Sequence, residues 1–288
     1  MKKVILSMDV EDWYHLDYFK RSECNLDKSL LDGLDVYVDL LNELSIPSSF
    51  FVLGEIAKNK IEYFKDLAAL GHDIGSHGWN HQRPLTMSTD AFREDISRCM
   101  RLMKEINGDR GFGYRAPCFS LDRERLNIVQ ESGFIYDSSR IDFGNHPLYG
   151  SLEMSGYTSD SNYIYQKDNF LEFEVTTYPV LGKNIPISGG GYLRLFPWPL
   201  MKDLVTRHLK KNDIYILYIH PFELSKLPVP DVPSSTSKLT KFRFMHGRSK
   251  VVERLRRLAE LLDSYGYEFT TFKAIHEEIT KSSSNNYS

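Results

Sequence analysis

Two histidines four residues apart, His77 and His81, close the stretch His-Asp-Ile-Gly-Ser-His-Gly-Trp-Asn-His at 72–81. On a helical turn this spacing puts both imidazoles on one face, where both can ligate a single divalent cation. Near the N-terminus, the run Asp9-Val10-Glu11-Asp12 can supply a carboxylate. Two histidines and one carboxylate leave positions open for water and substrate, the arrangement of a hydrolytic metal. Cys118 is a rival nucleophile, but no histidine partner accompanies it in sequence context, so thiol chemistry is not expected.

The hydrophobic pattern predicts the elements that carry these residues. Lys3–Met8 is an apolar run ending in carboxylates and reads as a buried strand. Leu30, Leu31, Leu34, Val38, Leu41 and Leu44 have helical spacing within 27–44, with Asn25 or Asp27 as the cap. A strand at 48–53, a helix over 55–70 stopping at Gly71, and a strand at 72–76 deliver His77 to a strand end. A helix over 88–106, a strand at 112–116, a helix over 122–132 and a short strand at 134–137 continue the alternation. Strand and helix with short links predict a parallel β/α fold, and chemistry at strand C-termini is where an α/β barrel places its site.

Beyond residue 140 the alternation loosens. Residues 142–168 read as a long loop, and 171–176 as a half-buried strand. Gly189-Gly190-Gly191 lacks the spacing of a phosphate loop and reads as a turn or a close backbone approach. A helix over 198–211, a buried strand at 214–219 running into His220-Pro221, a proline-rich rim or lid over 225–237, a basic amphipathic helix over 249–265 and a closing strand at 267–271 complete the reading. One domain is expected over 1–281, with loop insertions near 140–170 and 225–248. The tail at 282–288 is expected to be disordered.

With 288 residues, 41% hydrophobic and 26% charged, the chain has ordinary globular composition. A formal net charge of -3 gives no reason to expect nucleic acid or an anionic membrane as a partner. There is no apolar run near the length of a membrane span. Acidic residues arrive too early for a signal peptide, and three scattered cysteines fit a reducing compartment, so a cytoplasmic setting is expected.

Five segments in order, Asp9-Val10-Glu11-Asp12, His77…His81, Arg115-Ala116-Pro117, Asp137-Ser138-Ser139 and His220-Pro221, resemble the polysaccharide deacetylases of the NodB-homology type, carbohydrate esterase family 4. Gly-Gly-Gly-Tyr-x-Arg-Leu at 189–195 and Tyr-x-His-Pro-x-Glu at 218–223 look like its branch associated with exopolysaccharide and surface-glycan loci. The resemblance implies a distorted (β/α) barrel of about seven parallel strands. It implies metal-dependent removal of an N-acetyl group from an amino sugar of a glycan or glycan precursor, with Zn²⁺ or another ion such as Co²⁺. Asp9 maps to the general base, Arg115 to the arginine paired with it, and His220 to the general acid. Asp12, His77 and His81 map to the metal ligands. Glu11 stays open as the alternative carboxylate, because an extended strand puts Asp9 and Glu11 on one face. The acid that pairs with His220 is open among Asp137, Glu174 and Glu223. The Cys118 backbone N–H maps to the oxyanion donor, with Cys118 standing where relatives usually have an aromatic residue. Trp13 replaces a common glycine and Gln82 a common proline. Trp13, Tyr14, Trp79, Tyr192 and Trp198 are candidates for contact with a sugar ring, although core packing is at least as good a use for each. Hydrolysis of a small non-sugar amide or formamide, and silent glycan binding, are the alternatives. Asp9 and His220 are both present, which argues against silence.

Overall fold

The structure, a computed structural model, describes residues 2–144, 146–161 and 163–285. In chain order they form β1 (Lys3–Val10), α1 (Asp32–Leu44), β2 (Ser49–Val52), α2 (Gly54–Ala57), α3 (Ile61–Ala69), β3 (Asp73–Ser76), α4 (Thr89–Asn107), β4 (Gly113–Tyr114), α5 (Arg123–Glu131) and β5 (Tyr136–Asp137). Then follow the hairpin β6 (Thr158–Ser161) and β7 (Ile164–Lys167), β8 (Phe170–Phe173), and the small ribbon β9 (Tyr178–Val180) and β10 (Lys183–Ile185). The chain closes with α6 (Gly190–Leu195), α7 (Trp198–Leu209), β11 (Ile214–Ile219), α8 (Pro221–Leu224), α9 (Lys238–Met245), α10 (Val251–Ser264), β12 (Glu268–Thr270) and α11 (Phe272–Asn285).

β1 is buried along its whole length, as a strand covered on both faces must be. It pairs in parallel with β11 from Lys3↔Ile214 to Met8↔Ile219. On its other edge it pairs with β2 from Ser7↔Ser49 to Val10↔Val52 and with β12 from Lys3↔Glu268 to Ile5↔Thr270. The sheet order β11-β1-β2-β3-β4-β5-β8 is parallel throughout, and β7 and β6 extend it antiparallel. The sheet curls into the expected distorted barrel. Among the described residues its seam carries no ladder: the Ile216 N–H donates to Thr176 Oγ1 (2.9 Å), Ser188 Oγ donates to the Thr176 carbonyl (2.6 Å), and the Tyr218 N–H donates to the Ser188 carbonyl (2.9 Å).

Several local expectations change. The first helix starts at Asp32, because Asn25 accepts from the Asp27 N–H in a local turn and the Leu30 N–H is taken by Asp12. The helix expected over 55–70 is broken into α2 and α3 by a tight turn at Lys58-Asn59-Lys60. β6 and β7 pair antiparallel where a loop was expected, because β7 finds a partner in β8. The strand at β8 is buried on both faces, Glu172 included. The three glycines start α6, and none of them has positive φ. The tail is helical through Asn285, and residues 286–288 lie outside the described residues.

Candidate metal centre and acid–base site

The site is assembled at the C-terminal ends of β1, β3, β4 and β11. On β1 the strand alternation puts Ser7 and Asp9 on one face. Both meet Arg115, which follows β4 and is fully buried. Arg115 Nη1 donates to Asp9 Oδ1 (2.8 Å) and Ser7 Oγ (2.9 Å), Nε to the Ser138 carbonyl (2.9 Å), and Nη2 to Ser138 Oγ (2.9 Å). Its guanidinium carbon lies 4.2 Å from the centroid of the Phe51 ring. A buried charge pair persists only when its remaining donors are largely satisfied, and here four of the five guanidinium N–H groups are bonded.

His77 follows β3. Its N–H donates to the Val52 carbonyl (3.0 Å), which seats it, and Nδ1 donates to the Arg115 carbonyl (2.8 Å). That bond fixes the neutral tautomer and leaves the Nε2 lone pair for a ligand. Burial pushes the His77 pKa down to about 4. His81 adopts a left-handed φ of 66°, which turns its ring back toward β1. Its Nε2 lies 2.8 Å from Glu11 Oε2, and its Nδ1 3.6 Å from Asp17 Oδ2. Glu11 is 2% exposed; burial opposes its charge, but His81, with His220 and His77, outweighs burial and holds the carboxyl at about 2.

Glu11, His77 and His81 bring one ligand atom each within 4.8 Å of the others. Glu11 Oε2 and His81 Nδ1 are buried without an aligned hydrogen-bond partner, although Oε2 is close to the His81 ring. Converging lone-pair atoms that share no well-aligned proton are what a cation-binding group looks like, so the residues fit a divalent metal. The expected ligand Asp12 takes another job. Its Oδ1 accepts from the Trp13 N–H (2.8 Å) and the Leu30 N–H (2.8 Å), capping the turn after β1 and tying down the segment before α1. Glu11 is therefore the carboxylate beside the histidines. β1 ends at Val10, and the tight turn after it, in which the Glu11 N–H donates to the Asp9 carbonyl (3.0 Å), leaves Glu11 beside the histidines and Asp12 as the cap of the next turn.

His220 ends β11. Nε2 lies 3.4 Å from Glu11 Oε1, and Nδ1 lies 3.4 Å from Glu223 Oε2. Burial disfavours the imidazolium, but Glu223 and the charge of Glu11 raise its pKa to about 9. Of the three acids left open by sequence, Glu223 is the partner, and Arg194 Nε holds it in turn at 2.7 Å. A Cβ on Gly190 would come within 1.8 Å of Glu223 Oε2, so the glycine run is the space this carboxylate occupies. Glu174 instead pairs with Arg140 (2.6 Å). Asp137 lies with Glu172 behind Arg115. Both carboxyls are buried, and burial raises both, Asp137 to about 6.

The suggested sugar-contact residues divide. Trp13 is fully buried with Phe19, Leu30, Phe222 and Phe244, and Nε1 bonds the Lys28 carbonyl. It is a core residue, as its neighbours' apolar side chains dictate. Trp79 packs over Gly54 and under Arg98, whose guanidinium is 3.3 Å from the ring centroid, so it braces α2 and α4. Trp198 packs on the main core, and Tyr14 stands edge-on to Trp13. Tyr192 is half-buried, within electrostatic reach of Tyr149 and Tyr218. Cys118 and Phe119 have φ of 53° and 51°, a sharp turn beside the site. The Cys118 thiol donates to Asp17 Oδ2 (2.9 Å), and burial pushes its pKa well up, so it is no nucleophile. Sequence reasoning missed Asp17, Phe119 and Tyr149, and gave Tyr218, the first residue of the 218–223 motif, no role. Tyr218 stands 5.9 Å from the His220 ring and 5.0 Å from Phe119, and Tyr149 packs on Phe119 at 5.5 Å. For Phe119 and Tyr149 the only signal was aromatic richness, which does not locate a site. A cleft of about 350 Å³ lined by Asp17, Arg21, Asn80 and Gln82 reaches His81 from the outside.

Comparison with known proteins adds the following. The polysaccharide deacetylase profile matches residues 27–136, and a domain of unknown function (DUF3473) matches 138–276. The two meet at β5, yet β5 pairs with β4 on one edge and β8 on the other, so both stretches build one sheet. A peptidoglycan deacetylase of Helicobacter pylori (strain ATCC 700392 / 26695) is 25% identical over 117 residues, 41% of this chain and 40% of its own length. A chitooligosaccharide deacetylase of Azorhizobium caulinodans is 29% identical over 97 residues, 33% of this chain and 46% of its own. The chain thus spans less than half the length of these curated relatives. Among solved structures, a Mycobacterium smegmatis protein assigned to the polysaccharide deacetylases superposes with a TM-score of 0.62 at 18% identity, covering 98% of this chain and 92% of that one. At these identities the structures share the fold.

Proposed function

We propose that the chain, whose residues 27–136 match the polysaccharide deacetylase family, hydrolyses the N-acetyl amide of an amino sugar in a glycan or glycan precursor, with a divalent cation held by Glu11, His77 and His81. The observation that carries this reading is the approach of those three side chains between a buried carboxylate, Asp9, and an imidazole, His220. The bound cation, zinc or cobalt by its ligand set, would polarise the amide carbonyl and make water acidic near neutral pH.

The protein's own groups do the rest. Arg115 fixes Asp9 by Oδ1, so the other oxygen is the one that takes a proton from the attacking water. The turn at Cys118 offers its backbone N–H to the oxyanion as the carbonyl becomes tetrahedral. His220, kept protonated by Glu223, gives its proton to the departing amine, and acetate leaves. The half-buried rings of Tyr149 and Tyr192 suit the faces of a sugar ring, with Tyr149 backed by the buried Phe119.

Acetate release from a chitooligosaccharide, followed with metal analysis of the purified protein, tests the reading. Stoichiometric divalent ion that Glu11→Gln fails to retain, and acetate release abolished by His220→Ala, are expected. Protein without metal, or turnover of formamide in place of the oligosaccharide, would remove it.

A further inference from the structure

Helix α9 is apolar on two sides. Phe244 points inward, 1% exposed, and stacks on Phe222 at 5.1 Å between ring centroids. Leu239, Phe242 and Met245 point outward, 57%, 53% and 53% exposed. They are three residues apart, so they form one stripe. Scattered exposed apolar residues need no explanation, whereas an aligned stripe on a short helix does. Basic residues rim it: Lys238 and Arg243 are exposed, and Lys241 is half-exposed. Between Asp231 and Glu253 the chain has five Lys or Arg (238, 241, 243, 248 and 250) and no Asp or Glu, although its net charge is -3.

The same helix is wired to the site. Arg194 Nη1 donates to the carbonyls of Arg243 (2.8 Å) and His246 (2.7 Å) at the C-terminal end of α9, while its Nε holds Glu223. Gly247, at φ 78°, lies against the Arg194 backbone, where a Cβ would approach the carbonyl to 2.5 Å. One buried guanidinium thus links the exposed helix to the carboxylate beside His220.

We propose that the Leu239–Phe242–Met245 stripe of α9, rimmed by Lys238, Lys241 and Arg243, seats the protein on a bilayer bearing anionic lipid headgroups. Large apolar side chains framed by Lys and Arg suit the interfacial layer, where the apolar groups enter the acyl boundary and the cations meet headgroup charge. An acidic polymer would have no use for the apolar stripe. A second copy docking two-fold on this face would oppose like charges. Seated this way, the site lies beside the bilayer, within reach of a glycan carried on a lipid. That consequence rests on the deacetylase reading; the docking does not.

Flotation of the full chain with vesicles tests the docking without any measure of activity. The protein is expected to float with mixed phosphatidylcholine–phosphatidylglycerol vesicles and to lose most of that binding with phosphatidylcholine alone or in high salt. Replacing Leu239, Phe242 and Met245 together by Ser, or Lys238 and Lys241 by Glu, is expected to cut the bound fraction by roughly 10-fold or more. Acetate release from a soluble oligosaccharide should stay unchanged. Because a triple variant can misfold, Phe242→Trp provides a second readout: brominated lipid should quench its added emission. Wild type that stays with the soluble fraction, a Ser variant that floats like wild type, or added indole emission that brominated lipid leaves unquenched would overturn the proposal. So would a wild-type dimer that the Ser variant converts to monomer, since the stripe then belongs to a second copy.

Discussion

Both ends of the site use a buried arginine, at different removes. At the base end, Arg115 touches Asp9 directly, and both are buried. At the acid end, Arg194 holds Glu223, and Glu223 holds His220, whose side chain keeps 18% of its surface open. The difference follows from charge. A carboxylate is fixed as an anion by a cation in contact. A histidine is kept protonated by an anion, and that buried anion then needs a cation of its own. The second arrangement takes one more residue and one more element.

The comparison can be broken at either end. The largest effect is expected for Arg115→Ala, which strands Asp9 as a buried unpaired charge. About 3–5 kcal/mol of stability should go in denaturant titrations, along with all acetate release. Wild-type stability in this variant would mean that Asp9 finds another partner. Asp9→Asn should keep the fold and lower kcat for acetate release by roughly 10²–10⁴-fold, the usual worth of a general base.

At the acid end the effect is smaller and shows in the pH profile. His220 must be protonated to act, so activity should fall as pH rises through its pKa, raised to about 9. Glu223→Gln removes the anion, and the alkaline limb of kcat/KM should move to lower pH. An unmoved limb would show that Glu223 does not govern His220.

The smallest effect concerns the carboxyl pair behind Arg115. Asp137 keeps its proton up to about 6 in the folded protein, against an ordinary value of 3.8. Between these values the folded state binds a proton that the unfolded chain has lost. The stabilisation is complete below about 3.8 and is lost as pH rises through about 6. Burial and the neighbouring Asp137 push Glu172 well above its ordinary value, so it holds the proton the pair shares, and Glu172→Gln makes that hydrogen permanent. Thermal melts from pH 4 to 7 should flatten, with a gain of about 1 kcal/mol at neutral pH. A variant that follows the wild-type slope would count against a shared proton.

Much of the base end was legible. Asp9, His77, His81 and Arg115 sit at ends of strands whose apolar runs are continuous, and the periodicity of strands and helices up to β5 announced them. The choice between Glu11 and Asp12 was left open and turned on which way the chain faces after Val10. The acid end was half legible. His220 followed an obvious strand, and Arg194 stood with the glycines in the 189–195 motif, but their roles were hidden, because an empty space for a carboxylate leaves no periodic trace. Asp17 was silent for the same reason: a single carboxylate in a polar loop has no pattern.

Local sequence determined the order of strands and helices, the residue types of the site and their places at strand ends, because side-chain period and chain punctuation are short-range properties. The tertiary structure decided which carboxylate faces the histidines, which acid serves His220, and that a chain of modest negative charge carries a basic, apolar edge at α9. The site closes only where segments far apart in the chain meet in space, as Glu11 does with His81 and Asp9 with Arg115, and no pattern within one segment encodes such a meeting.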